Sequence, residues 1–362
     1  TSARPSLGSS NWAGPRRNLF AVEKSSGPLS VGVNFGGAAV ADKYRLITRS
    51  DFDGLVCAVI LKELDLISDI EFVHPKDMQD GKVPVTNKDI TANLPYARGV
   101  YLAFDHHASE VSRVGRPDNY IIDPNAPSAA RVVYGYYGGA KKLPRVTEEL
   151  MQAVDKSDSA NFSRGEILDP QGWVLLSFIM DARTGLGRFH DFKISNKELM
   201  KKLIELIRTK SLKEILADPD VKERVDLYHK HAALSAEQIE RCAKLHNNLI
   251  VLDLRGEETI FAGNRFMIYA LSPNSNISLH VMWGKQNQNV SIACGKSILK
   301  KDSKTDVGEL MLKYGGGGHK AAGTCQVPAD KADQVLKELV EKITRDGRSE
   351  EHTSELQSRQ YL

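Results

Sequence analysis

Three times in its first half the chain runs a short apolar segment straight into charged or turn-forming residues and then into a helical pattern. "YRLITRSDFDGLVCAVILKEL" holds a strand over Leu46 to Thr48, then apolar residues at helical spacing from Leu55 to Leu64. "GVYLAFDHHASEV" repeats the plan with a strand from Val100 to Phe104, and "NYIIDPNAPSAARVVYGYY" closes its strand at Asp123 and Pro124 with Ser128 near the next helix start. Strands alternating with helices predict an α/β fold: a doubly wound, mostly parallel sheet with helices on both faces.

The 362 residues leave room for two domains. The expected division is a first domain over 43–195, a charged, amphipathic helical connector over 196–246 and a smaller α/β domain over 247–345. The last carries strand-like runs in "NLIVLDL", "TIFAG", "FMIYAL", "ISLHVMW" and "NVSIACG", then helices around "VGELMLKY" and "ADQVLKELVEKI". Residues 1–42, rich in Gly, Ser, Pro and Ala without periodicity, read as a disordered leader, and 346–362 as a polar tail that is disordered or foreign to the fold. There are 49 Lys and Arg against 46 Asp and Glu, a formal charge of +3, which disfavours a broad face for long duplexes but allows a local phosphate pocket. Cys57, Cys242, Cys294 and Cys325 lack C-x-x-C spacing and read as free thiols in a reducing compartment, hence a cytoplasmic protein. No apolar run of about 18 residues is present to cross a membrane.

In open α/β sheets ligands gather beyond the carboxyl ends of the strands. Asp51 and Asp53 follow the first strand, Asp105, His106 and His107 follow "VYLAF", and Asp155 and Asp158 sit in "MQAVDKSDSANF". Carboxylates and imidazoles together suit hard or borderline divalent ions such as manganese. A lone Asp behind a strand also serves as a helix N-cap, which leaves Asp51 and Asp123 open to either reading. Asp-His-His behind an apolar run has no common structural use.

"SDFDG", "FDHH", "VDKSDSANF" and "GGGGHKAAG", in that order between Tyr44 and Ile343, resemble the DHH phosphoesterase superfamily, in the subgroup with a C-terminal DHHA1 domain. The resemblance implies a two-metal phosphoester hydrolase whose substrate lies between the two domains. It implies Mn2+, or Mg2+ or Co2+, held by Asp51, Asp53, Asp105, His106 and Asp158, with Asp155 behind them and His107 facing the substrate phosphate. The family also places an Asp about twenty residues before DHH, and Asp89 is the nearest candidate. Its first motif reads His-x-Asp-x-Asp, whereas "RSDFD" puts Arg49 where the histidine belongs. Arginine cannot ligate a metal. Arg49 therefore implies one weakened or missing ion, and is read either as a phosphate clamp or as an ion-pair partner of Asp51 or Asp105 in a degenerate site.

Gly315, Gly316, Gly317 and Gly318 allow successive backbone N–H groups to turn toward one anion, with His319 beside them. The alternative is a glycine-rich hairpin that His319 merely caps. Ala321, Ala322 and Gly323 read as close helix–sheet packing. Lys296 is a further candidate phosphate partner. Arg183 and Arg188 read as a charged loop face or as cleft-lining residues, and Tyr134 to Tyr137 as packing residues or as a base-stacking surface. The expected activity is metal-dependent hydrolysis of phosphodiester or phosphoanhydride bonds in a short anionic substrate. The family's range runs from short-oligonucleotide exonucleases, acting on single-stranded ends, to adenosine bisphosphate phosphatases, cyclic dinucleotide phosphodiesterases and exopolyphosphatases. The rival expectation is a non-catalytic nucleotide-binding regulator. A homodimer is compatible with either.

Overall fold

The computed structural model describes residues 43–189 and 191–348. The expected leader and all but the first three residues of the expected tail lie outside the described residues. The first sheet holds β1 (Tyr44–Arg49), β2 (Ile67–Val73), β3 (Asp89–Ala92), β4 (Leu102–Asp105) and β5 (Tyr120–Ile122) in the order β2-β1-β3-β4-β5. All four pairings are parallel. Successive side chains on a strand face opposite ways, and here they enter different cores. Leu46, Ile90, Leu102 and Phe104 join one cluster, whereas Ile47, Ala103, Tyr120 and Ile122 lie in clusters on the other face. Helices α1 (Phe52–Glu63), α4 (Ala129–Tyr136), α5 (Glu148–Asp158) and α8 (Asn196–Thr209) supply the first face. Helices α2 (Pro75–Gln79) and α3 (Ala108–Val114) supply the second through Met78, Val111 and Val114. The sheet is doubly wound. Helix α1 is buried along Phe52–Leu61, apolar nearly all round as a fully enclosed helix must be.

Helices α6 (Arg164–Leu168) and α7 (Gly172–Met180) follow α5, and α9 (Leu212–Ala217) and the long α10 (Pro219–Cys242) follow α8. The second sheet comprises β6 (Ala243–His246), β7 (Leu249–Asp253), β8 (Ile277–Trp283), β9 (Asn289–Lys296), β10 (Gly317–His319) and β11 (Ala322–Pro328). Their order is β10-β11-β9-β8-β7-β6, with only β7 and β8 parallel. Helix α11 (Met267–Leu271) lies in the β7–β8 crossover, while α12 (Val307–Leu312) and α13 (Ala332–Arg348) cover the opposite face through Val307, Met311, Leu339 and Ile343. Asp346, bonded to Thr305 Oγ1 at 3.0 Å, helps carry α13 three residues beyond the expected boundary at 345.

Two strand expectations are corrected. "TIFAG" forms no strand because its amides are taken by other groups: Phe261 N–H donates to Gln238 Oε1, Ala262 N–H to His231 Nδ1 and Gly263 N–H to the Thr184 carbonyl. "FMIYAL" is α11, started by Asn264, whose Oδ1 accepts from Phe266 N–H at 3.1 Å. A short apolar run does not distinguish a buried helix from a strand by periodicity. These segments belong to an apolar cluster that joins the two lobes. Phe162, Ile167 and Phe178 of the first meet Phe266 and Ile268 of the second, with Phe162 ring centroids 4.9 Å from Phe178 and 5.7 Å from Phe266. Asn264 Nδ2 adds a hydrogen bond to the Ile167 carbonyl at 2.9 Å.

Candidate metal centre and cleft

The carboxyl ends of β1, β3 and β4 lie side by side, and α1 starts hard against β1. A Cβ on Gly54 would stand 2.1 Å from the Arg49 carbonyl oxygen, so only glycine permits the approach that seats Asp51 and Asp53 over the sheet edge. Asp53 is buried, and its carboxylate accepts from the Ala129 and Ala130 amides at 3.0 and 2.7 Å at the start of α4. Asp158 ends α5, and His106 follows β4. Ligand atoms of Asp53, His106 and Asp158 all lie within 4.8 Å of one another.

His106 Nδ1 sits 3.1 Å from the Ala126 carbonyl, which assigns that nitrogen a proton and leaves Nε2 aimed inward. Nε2 is buried and lies 3.1 Å from Asp158 Oδ2, close enough for an ion pair but not aligned as a hydrogen bond. Burial alone would lower the His106 pKa; the Asp158 and Asp53 carboxylates overcome it and raise it to about 9. Burial and the neighbouring Asp158 and Asp51 charges push the Asp53 carboxyl well above the usual range. A misaligned buried imidazole nitrogen among carboxylates that repel one another fits a divalent cation, which would take the proton's place and neutralise the repulsion.

The remaining expected ligands are held by other partners. Asp51 caps α1, its Oδ1 accepting from Gly54 N–H at 2.9 Å and Asn93 Nδ2 at 3.1 Å, while Oδ2 pairs with Arg49 Nε at 2.9 Å. The expected alternatives of an N-cap Asp51 and an Arg49–Asp51 pair are thus both present. Fully buried Asp105 accepts on Oδ1 from His106 N–H at 2.8 Å and His107 Nδ1 at 2.7 Å, and on Oδ2 from Tyr120 hydroxyl at 2.9 Å. His107 is exposed. Asp155 accepts from Ser128 Oγ at 2.7 Å and Arg131 Nε at 2.8 Å, fastening α5 to α4.

Asp89 is a correction. It opens β3 beside Arg45 of β1, at the amino edge of the sheet, roughly 13 Å of strand from the carboxyl end. Arg45 grips its carboxylate with Nε at 2.7 Å and Nη2 at 2.9 Å, and the Thr86 amide adds a third bond at 2.6 Å. The position at the carboxyl end belongs to Asn93, which the sequence reading missed. Asn93 is buried at φ 55°, bonded to Asp51, with its Oδ1 unpartnered. A polar residue closing the buried run "DITA" was the available signal.

The glycine run lies in the second lobe. Gly317, Gly318 and His319 form the edge strand β10, paired antiparallel with β11, so the glycine run is in part the hairpin of the alternative reading. A Cβ on Gly318 would stand 2.3 Å from the Ala322 oxygen, and one on Gly316 2.2 Å from the Thr324 oxygen. Gly323 packs against Met311 and Val307 of α12. His319 Nδ1 accepts from the Ala321 amide at 3.3 Å. Burial lowers the His319 pKa, and the charges of His107 and Arg265 lower it further. Lys296 Nζ donates to the Ser303 carbonyl at 3.0 Å. Arg183 is exposed and pairs with Asp181, its Nε donating to Oδ1 at 2.7 Å. Tyr134 is core, and Tyr136 and Tyr137 pack on Phe104 as structural residues.

No family model matches the chain, and no curated protein matches it. Among solved structures, a pGpG-specific phosphodiesterase from Vibrio cholerae, PggH, is 61% identical, covers 84% of this chain and 100% of its own, and superposes with a TM-score of 0.75. RecJ in complex with Mn2+ from Thermus thermophilus is 14% identical over 84% of this chain and 52% of its own, at a TM-score of 0.46. The exonuclease RecJ bound to manganese is 15% identical over 85% and 91%, also at 0.46. Scores at that level add nothing to the fold comparison. PggH carries the similarity.

Proposed function

The chain belongs to the DHH phosphoesterase superfamily and is a phosphoester hydrolase; from that premise we propose that it cleaves the phosphodiester bond of a linear dinucleotide of the pGpG kind, in the cytoplasm. The observation that carries the substrate is the 61% identity spanning the whole of a pGpG-specific phosphodiesterase.

In this reading Asp53, His106 and Asp158 hold a divalent ion, Mn2+, Mg2+ or Co2+. When bound, the ion lowers the pKa of water and draws charge from the phosphoryl oxygens. Asp105, fixed from three sides, orients His107 through Nδ1; a doubly protonated His107 would give its Nε2 proton to the leaving oxygen as a water oxygen bonds to phosphorus and the old P–O bond breaks. Arg49, anchored on Asp51, turns its remaining N–H donors to a phosphate oxygen and takes the place of a second full ligand set. His319 and the β10 backbone close over the substrate from the other lobe.

A panel of pGpG, cyclic di-GMP, a longer single-stranded oligonucleotide and polyphosphate, assayed with each metal, tests the proposal. Turnover should be highest on pGpG with Mn2+ and absent after chelation. Nucleotide binding without turnover on any substrate would favour the regulator reading instead.

A further inference from the structure

The resemblance to DHH phosphoesterases implies two metal ions, but the donors at the carboxyl edge of the first sheet suit only one. Strand register sets Arg49, Asn93 and Asp105 side by side. Thr48 of β1 pairs with Ala92 of β3, and Ala92 with Phe104 of β4, so the next residue of each strand stands at one level. Asn93 N–H donates to the Phe104 carbonyl at 3.1 Å and holds that level. A second ion would need carboxylates that protein donors have not claimed. Asp51 is ringed by N–H groups: Gly54 N–H and Asn93 Nδ2 donate to Oδ1, and Arg49 Nε lies 2.9 Å from Oδ2. Each turns a positive hydrogen toward the place a cation would take.

Asp105 is equally committed, its two oxygens accepting from His106 N–H, His107 Nδ1 and the Tyr120 hydroxyl. What remains is Asp53, His106 and Asp158. Two carboxylates and a neutral imidazole balance the charge of one divalent ion and leave nothing for another. Asn93 decides the matter, because chemistry fixes which way its amide points. Asp51 can only accept, so the atom facing it is the amide nitrogen, and the buried, unpartnered atom is Oδ1. A carboxylate at this place, between β1 and β4, could serve cations on both sides. The amide brings no charge and spends an N–H donor on Asp51 instead.

Arg49 completes the exchange. Arginine stays protonated throughout the pH range in which the chain is folded, so its charge cannot be titrated away to admit an ion. Its Nε is committed to Asp51, while the half-buried side chain keeps further guanidinium donors. We infer that the chain binds a single divalent ion, and that Arg49 and Asn93 together close the position of a second, the guanidinium standing there as a permanent cation held on Asp51. This rests on the centre of Asp53, His106 and Asp158 proposed above. A guanidinium on a covalent stem does not dissociate, so metal activation should follow one non-cooperative saturation curve.

The test counts ions. The EDTA-stripped full chain is titrated calorimetrically with Mn2+, and bound metal is quantified by elemental analysis and electron paramagnetic resonance, for the native protein and for the double variant Arg49→His, Asn93→Asp. The native chain should take up one ion with the spectrum of an isolated Mn2+, and the double variant two, with the spectrum of a spin-coupled pair. Two ions per native chain would overturn the inference whatever the variant does. One ion in a double variant shown by circular dichroism to be folded would overturn it as well, because the named residues would not be what closes the second position. The substrate reading fails separately: one ion per native chain without turnover of pGpG removes the dinucleotide and leaves the ion count standing. No Mn2+ uptake at all removes the metal centre and this inference with it.

Discussion

Acid should drive the divalent ion out of the Asp53, His106 and Asp158 cluster, because the ion and a proton compete for His106 Nε2. In the metal-free chain burial disfavours the imidazolium, but Asp158 and Asp53 outweigh it and raise the pKa to about 9. A ligating imidazole must be neutral. At pH 7, below that value, most metal-free chains carry the charged ring, and an incoming ion must displace its proton. The apparent Kd for Mn2+ should therefore weaken about tenfold for each unit of acidification below 9, with close to one proton released per ion at pH 7. Isothermal titration of the EDTA-stripped chain between pH 6.5 and 8.5, in two buffers of different ionisation heat, measures both. A flat affinity with no buffer dependence would refute the assignment of His106 as a ligand. The same pairing bears on stability, since a folded-state pKa above the unfolded value of about 6.5 stabilises fully below that value. Metal-free melting temperature should fall as pH rises from 6.5 through 9, and Asp158→Asn should flatten the fall.

Asp89→Asn should cost about 1–3 kcal/mol in denaturant unfolding by loosening the Arg45 grip, and leave Mn2+ affinity intact; lost affinity would restore Asp89 as a ligand. Arg49→His should lower kcat/KM at least tenfold, about 1.4 kcal/mol of transition-state stabilisation, and a gain in rate would mean that the arginine is a defect. Gly318→Ala should force the hairpin apart and lower stability by about 1–3 kcal/mol with a raised KM. Gly317→Ala, whose Cβ meets nothing within 4 Å, should stay within about 0.5 kcal/mol of the native chain, and equal losses at both positions would contradict the packing described for β10.

Much of this was legible in the sequence because parallel strands declare themselves by apolar runs ending in charge. The runs closing at Arg49, Asp105 and Asp123 mark three carboxyl edges, and the residues behind two of them meet in the candidate site. What the sequence hid was decided by tertiary partners. Asp89 looks like a ligand until its strand is given a direction and Arg45 a place beside it. "TIFAG" looks like a strand until Gln238 and His231 of a distant helix claim its amides. Arg183, Arg265 and His280 line one cavity although they come from segments nearly a hundred residues apart, and no local pattern announces it.

The phenyl cluster of Phe162, Phe178 and Phe266 bears on what can enter. A hinge that spread the lobes would return these rings to water at about 1.5–3 kcal/mol each. Three such losses approach the roughly 5–15 kcal/mol that maintains an entire domain. Entry to the space between the lobes therefore works against this cluster, which resists any opening that parts its rings.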